Sequence, residues 1–224
     1  MSDEPRMNTE RLGIWSAPFH FKVEPERTIA YAKATNDDNT RYLSGQLAPP
    51  VFAIVPVFEG MMTPVFEVVP HSLIPVVVHG EHDLTFYRPI VPGTSLVSRA
   101  KVTGFASKSS GTTVSVRLET RADGSDLLNE QWMVFFFRGF SAGETVGEQV
   151  PAHALDEALR ARAPVAEVVQ HVDDDQTFRY AEVSGDSMPM HLDEEFARSA
   201  GGGQSWLRSP SVPSCPGPWY QPGF

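Results

Sequence analysis

The sequence predicts an α+β protein: an antiparallel sheet wrapped round one central helix, in a tandem arrangement whose second copy is incomplete. Three observations predict it. Four runs between positions 79 and 140 alternate apolar and polar residues with period two, the pattern of strands that turn one face to a core. An almost wholly apolar stretch, Pro50 to Met62, precedes them and is read as a helix buried on all sides. The segment from Val23 to Tyr42 then recurs 149 positions later, from Val172 to His191, without a gap.

A short strand, His20 to Val23, opens the first copy. Glu24, Pro25 and Glu26 follow, and they suit a helix start: proline lacks an N–H that the first turn would leave unbonded, and carboxylates favour the positive end. The apolar stretch comes next, with Pro56 inside it arguing against an unbroken helix. The strand runs are His79 to Arg88, Ser95 to Phe105, Thr112 to Arg121 and Glu130 to Phe140. In the third, Val114, Val116 and Leu118 alternate with Ser115, Arg117 and Glu119, as in a half-buried strand. Polar turn clusters at 108–111 and 122–125 separate the runs, which is the grammar of an antiparallel meander.

The second copy begins with the same order of elements, a strand from Val165 to Val172 and then a helix after Asp173, Asp174 and Asp175. Over the twenty aligned positions five residues are identical: Val23, Thr28, Tyr31, Ala32 and Asp37 match Val172, Thr177, Tyr180, Ala181 and Asp186. The domain reading is therefore a first unit at 1–140, a linker with helical composition at 141–164, and the start of a second unit at 165–200. Residues 201–224 carry no acidic residue and no strand-like alternation; they are expected to be irregular, an aberrant ending in place of further strands. An unfinished second unit would expose apolar surface, so self-association into a homo-oligomer is expected.

Composition narrows the function classes. Of 224 residues 41% are hydrophobic and 21% charged, the usual mix of a folded domain. The net charge of −10 has the wrong sign for neutralising many phosphates, which excludes nucleic acid as an expected partner. The apolar stretch Leu47 to Phe58 falls short of the ~20 residues of a spanning helix, so no membrane association is expected. The first residues mix both charge signs and do not read as a secretory signal. A single cysteine, Cys215, cannot form an internal disulfide, so a reducing cytoplasm is the expected location.

The chemistry concentrates in Ser184-Gly185-Asp186-Ser187-Met188-Pro189-Met190-His191-Leu192-Asp193. Gly185 tolerates the left-handed conformation that ends a helix, Pro189 turns the chain, and a new helix begins near Asp193, with Glu194 and Glu195 at its positive end. Asp186 and His191 are thus expected on one tight loop between two helices. A carboxylate and an imidazole held together can share one water, the carboxylate orienting and deprotonating it and the imidazole moving a proton near neutral pH. The plainer alternative is an Asx turn closed by Asp186, with His191 bonded to nearby backbone.

This stretch, with Tyr180 upstream and Ala197 downstream, resembles the signature of MaoC-like dehydratases and R-specific enoyl-CoA hydratases. The first copy is similar to the N-terminal unit of tandem members, especially from His79 to Pro89 and at Pro92-Gly93, and the likeness covers roughly residues 19–201. It implies the hot-dog fold, twice over. It also implies a lyase that reversibly adds water across a 2,3-enoyl thioester in fatty acid metabolism, carried by CoA or by acyl carrier protein, with neither metal nor cofactor. Asp186 and His191 would be the catalytic pair, with Ser184, Gly185 and Pro189 shaping their loop. In the first unit Asp37 is kept but Tyr42 stands at the histidine's place, so that unit would accommodate the acyl chain without chemistry. Two departures bear on activity. Met188 replaces the asparagine usual between the aspartate and the proline, and the His-Gly loop expected to polarise the thioester carbonyl is not found after Gly201, so the activity of this chain is expected to be impaired.

Thioester hydrolysis and a non-catalytic acyl-CoA-binding subunit remain as alternatives, since one fold hosts several functions. A metal site at His79, Glu81, His82 and Asp83 is disfavoured because strand residues three apart project to opposite faces; these residues are expected to flank a strand end, partly exposed. Phe135, Phe136 and Phe137 are assigned to packing within the sheet and core.

Overall fold

A computed structural model describes residues 5–123, 126–153, 156–167, 169 and 171–199. The expected irregular tail and Cys215 lie outside the described residues. β1 (Phe19–Lys22) leads through α1 (Pro25–Ala34), α2 (Thr40–Leu43) and α3 (Val55–Val68) to β2 (Val77–Phe86), β3 (Ser95–Lys108), β4 (Gly111–Ala122) and β5 (Asp126–Arg138). Then come β6 (Thr145–Gly147) and the short helices α4 (Glu157–Arg160), α5 (Gln176–Ser184), α6 (Pro189–Leu192) and α7 (Glu194–Ser199). The sheet is antiparallel, in the order β1-β3-β4-β5-β2, and β6 shares the outer edge of β3 with β1.

The alternation read from the sequence forms the inner face. Val114, Val116 and Leu118 have no exposed surface, and across the ladder they meet Phe135, Met133 and Gln131. Phe137 is fully buried and Phe135 packs against the same core. α3 lies across this face, mainly on β1, β3 and β4. The arrangement is one sheet curled round one helix, a single hot-dog unit.

Four expectations need correction. First, α3 is not buried on all sides: Glu59, Thr63 and Glu67, four residues apart, form an exposed stripe, which a helix places on one face. Pro56 stands in the first turn of α3, where its missing N–H costs no helical bond, and a 3-10 turn, Pro50–Ile54, runs in ahead of it. Together Pro50–Val68 make 19 residues long and apolar enough to cross a membrane by length and composition, but Val57, Met61, Val65 and Val68 are buried against the sheet. Second, β4 is covered on both faces rather than one. Ser115 accepts a hydrogen bond at Oγ from the Val150 N–H at 3.2 Å, and Glu119 pairs with Arg99 at 2.9 Å, so a strap and a charge pair cover the side expected to face water.

Third, the expected strand from Val165 to Val172 is not formed where described, and Val165 is 88% exposed. Its equivalent, β1, is held by pairing Phe19–Lys22 with Ser95–Ser98 of β3. Among the described residues no strand pairs with 165–172 in that way. A lone strand leaves its backbone N–H and C=O groups to water and gains nothing over coil. Fourth, among the described residues the helical composition of 152–162 yields only α4, one turn with no buried residue, because a short helix needs packing to extend.

Candidate active site

α5 presents Gln176, Thr177, Tyr180 and Ser184 inward, all buried, a spacing of about one helical turn that turns one stripe toward α1. Gly185 ends the helix at φ +86°, in the left-handed region where a Cβ would be strained. The Asp186 N–H donates to Ser184 Oγ at 3.1 Å, and Asp186 Oδ1 accepts from the Met188 N–H at 3.3 Å. Pro189 then opens α6, and the His191 N–H closes it on the Met188 carbonyl at 2.9 Å. His191 is therefore inside a helical turn rather than on the loop, since proline at the first position presets that turn. Asp193 caps α7 by accepting from the Phe196 N–H at 2.9 Å.

Asp186 Oδ2 stands 4.0 Å from His191 Nε2, with the carboxylate 5% and the imidazole 19% exposed. The two sequence-derived candidates are thus brought together. The Asx turn posed as their alternative is present too, but it uses Oδ1 while Oδ2 faces the ring. A separation of 4.0 Å is too long for a direct hydrogen bond, whereas one oxygen about 2.8 Å from each atom spans it. Ser184 and Asp186 are buried, so the loop is held by the fold and not by solvent.

The repeat is structural as well as sequential. Asn36, the counterpart of Gly185, is also left-handed at φ +55°. Asp37 accepts from the Asn39 N–H at 3.0 Å, as Asp186 does from Met188, and α2 occupies the place of α6 at the offset of 149. Tyr42 stands where His191 would be and packs with Ala32 and Leu47. Burial pushes the Asp37 carboxyl above the ordinary aspartate value, with the Asn39 N–H opposing and Asp38 adding to the rise. Asn39 additionally caps α2 by accepting from the Arg41 N–H at 3.0 Å; Met188 has no side-chain cap to offer.

The two copies also grip one another reciprocally. Arg27 Nε donates to the Val183 carbonyl at 2.8 Å, and its counterpart Gln176 donates through Nε2 to the Ala34 carbonyl at 3.3 Å. Tyr31 and Tyr180 meet on the axis between them, ring centroids 5.6 Å apart. This is the self-complementary contact of a two-fold dimer, built within one chain. The alignment sets Arg27 against Gln176 and Tyr31 against Tyr180, but no pattern along the chain shows that the two copies touch.

Nor did it find the geometry at β2. The β2–β5 register shifts between His79 and Glu81, so Gly80 is an extra residue and His79 and His82 share a face, their rings 5.3 Å apart. The expectation of opposite faces is overturned by this bulge. Among the described residues no group of three or more metal-ligating side chains is assembled. His82 is pushed down to about 4, by burial first and then by His79.

Residues 33–139 match the family model of the MFE-2 hydratase 2 N-terminal domain. Over this span, just under half of the chain, it is similar to hydratases of the MaoC-like family. A peroxisomal enoyl-CoA hydratase 2 of Arabidopsis thaliana is 28% identical over 160 residues, covering 67% of this chain and 50% of that protein. The chain thus spans half the length of this curated relative. Among solved structures, a MaoC-like dehydratase from Phytophthora capsici superposes with a TM-score of 0.72 at 22% identity, covering 87% of this chain and 70% of its own. The full-length peroxisomal multifunctional enzyme type 2 of Drosophila melanogaster gives 0.62 at 23% identity, covering 84% of this chain and 33% of its own. These likenesses establish the hot-dog fold.

Proposed function

We propose that the chain is part of a hydro-lyase that adds water to a 2,3-enoyl thioester, or removes it from the 3-hydroxyacyl thioester, with acyl-CoA as the substrate class. The observation that carries this reading is the Asp186–His191 pair, 4.0 Å apart and largely buried on a loop braced by Ser184, Gly185 and Pro189. In hydration, a water held between Oδ2 and Nε2 attacks C3 of the enoyl group. One of its protons passes to the pair as the C–O bond forms and the C2–C3 π electrons move toward the thioester carbonyl. The enolate then takes a proton at C2, so the net change is addition of H2O. A backbone N–H at the enolate oxygen completes the site in this reading, because donors aimed at developing charge supply much of such catalysis. Asp186 serves as the orienting base and His191 as its proton-transfer partner, since general acid–base groups contribute ~10²–10⁴-fold each.

The test is incubation with an enoyl-CoA, following the conjugated double bond and free thiol together. Loss of conjugation without thiol release supports hydration. Thiol release means hydrolysis, and binding with neither means a non-catalytic subunit; either of these overturns the reading. Asp186→Asn and His191→Ala are expected to lower the hydration rate by at least ~10²-fold, with a folded chain confirmed by circular dichroism.

A further inference from the structure

A second polar group lies inside the first unit, away from the Asp186 loop. Gln131 and Asn129 on β5 have no exposed surface. Gln131 donates through Nε2 to the Ala53 carbonyl at 2.9 Å and to Asn129 Oδ1 at 2.9 Å. Both acceptors are oxygens, so the amide orientation follows: Gln131 Oε1 must be the atom 2.9 Å from His82 Nε2. That oxygen can only accept, and His82 therefore carries its proton on Nε2 and turns a bare lone pair outward on Nδ1. The row ends in two buried atoms with no hydrogen-bond partner, His82 Nδ1 as acceptor and Asn129 Nδ2 as donor. Buried polar atoms are rarely left so.

The surroundings indicate what would pair with them. α3 rests mainly on β1, β3 and β4, and toward β2 the inner face carries Leu84, Phe86 and Phe135, which are only partly buried. Among the described residues no strand pairs with the outer side of β2. Ala53 adjoins Phe52, whose ring lies 5.3 Å from Tyr31, which lies 5.6 Å from Tyr180 on the helix leading to Asp186. No cation belongs to the row, so a carboxylate or phosphate is not what it fits; a neutral hydroxyl, able to donate to His82 Nδ1 or to accept from Asn129 Nδ2, is.

We propose that His82, Gln131 and Asn129 form a binding subsite for a hydroxyl group on the acyl portion of the substrate, making oxygenated rather than plain alkyl acyl-CoAs the preferred class. This rests on the acyl-thioester reading above. Low basicity of His82, pushed to about 4, keeps the lone pair available at neutral pH.

The experiment uses the full chain and saturated acyl-CoAs, which cannot react: one medium-chain acyl-CoA and a series carrying one hydroxyl at successive carbons beyond C3, with Kd read by titration calorimetry. One position in the series is expected to bind about tenfold more tightly than the plain chain, the worth of satisfying buried polar atoms. Asn129→Leu and His82→Leu should each reduce that preference to twofold or less, with the plain chain bound at least as well as before. If one variant does not fold, the other decides. Equal binding of plain and hydroxylated chains by the unsubstituted protein overturns the proposal and means that the row holds only solvent; so does a preference that both variants keep. Failure of every acyl-CoA to bind overturns the acyl-thioester reading itself, and this inference with it.

Discussion

His82→Gln should change how stability depends on pH in a direction fixed by burial. In the folded chain His82 is pushed down to about 4, against 6.5 for the ordinary side chain, chiefly because burial penalises the charged ring. Well above pH 6.5 the ring is neutral in both states and contributes no pH dependence. Between 6.5 and 4 the unfolded chain binds a proton that the folded chain refuses, so stability is lost as pH falls. At ~1.36 kcal/mol per tenfold in acidity, the full loss is about 3 kcal/mol near pH 4 and below. Glutamine does not titrate and lacks this loss, while at pH 7 it forfeits the imidazole bond to Gln131, worth about 1 kcal/mol. The two stability curves should therefore cross, the unsubstituted chain being the more stable at pH 7 and the variant at pH 4. Urea unfolding at half-unit steps from pH 7.5 to 4 measures both, and taking the difference cancels the carboxylates that titrate in each. Parallel curves would refute the reasoning, because they would mean His82 is protonated as readily folded as unfolded.

Other outcomes follow from the same contacts. Arg27→Met removes the donor to Val183 and should cost about 1–2 kcal/mol, with faster amide exchange at Gly185 and Asp186 than in the sheet. Met188→Asn restores the cap that Asn39 supplies in the first copy and should stabilise the loop by about 1 kcal/mol, read as a raised unfolding midpoint. Leu118→Ala, at a position with no exposed surface, should cost about 2–5 kcal/mol in chemical denaturation. Gly147→Ala should detach β6, because Gly147 sits at φ +74° and a Cβ there would come within 2.2 Å of the Thr103 carbonyl oxygen; the measurement is loss of amide protection at Val146 and Gly147 with the β3–β4 ladder retained.

Much of the fold could be read from residue order because its causes are local. The strands from Val77 to Arg138 follow from period-two alternation, and the hairpin at Ser109 and Ser110 from its polar turn residues. The loop around Asp186 was legible for a similar reason: Gly185 and Pro189 prescribe its backbone whatever surrounds it. The expected strand from Val165 to Val172 failed because a strand is a property of a pair, and the pattern of one segment carries no information about whether its ladder partner is there. His79 and His82 were misassigned because a bulge depends on the register with β5, which no spacing along β2 reveals.

Residue order by itself determined the antiparallel sheet round a helix, the duplication at an offset of 149, and the Asp186–His191 candidates, since periodicity, recurrence and turn chemistry are written one residue after another. Tertiary structure alone decided that Arg27 of one copy grips Val183 of the other, that Asp186 divides its two oxygens between a turn and a histidine, and that His82, Gln131 and Asn129 join in one buried row. Each of these joins groups from separate turns, strands or helices, and such a contact exists only once packing has set the distance and removed the water between them.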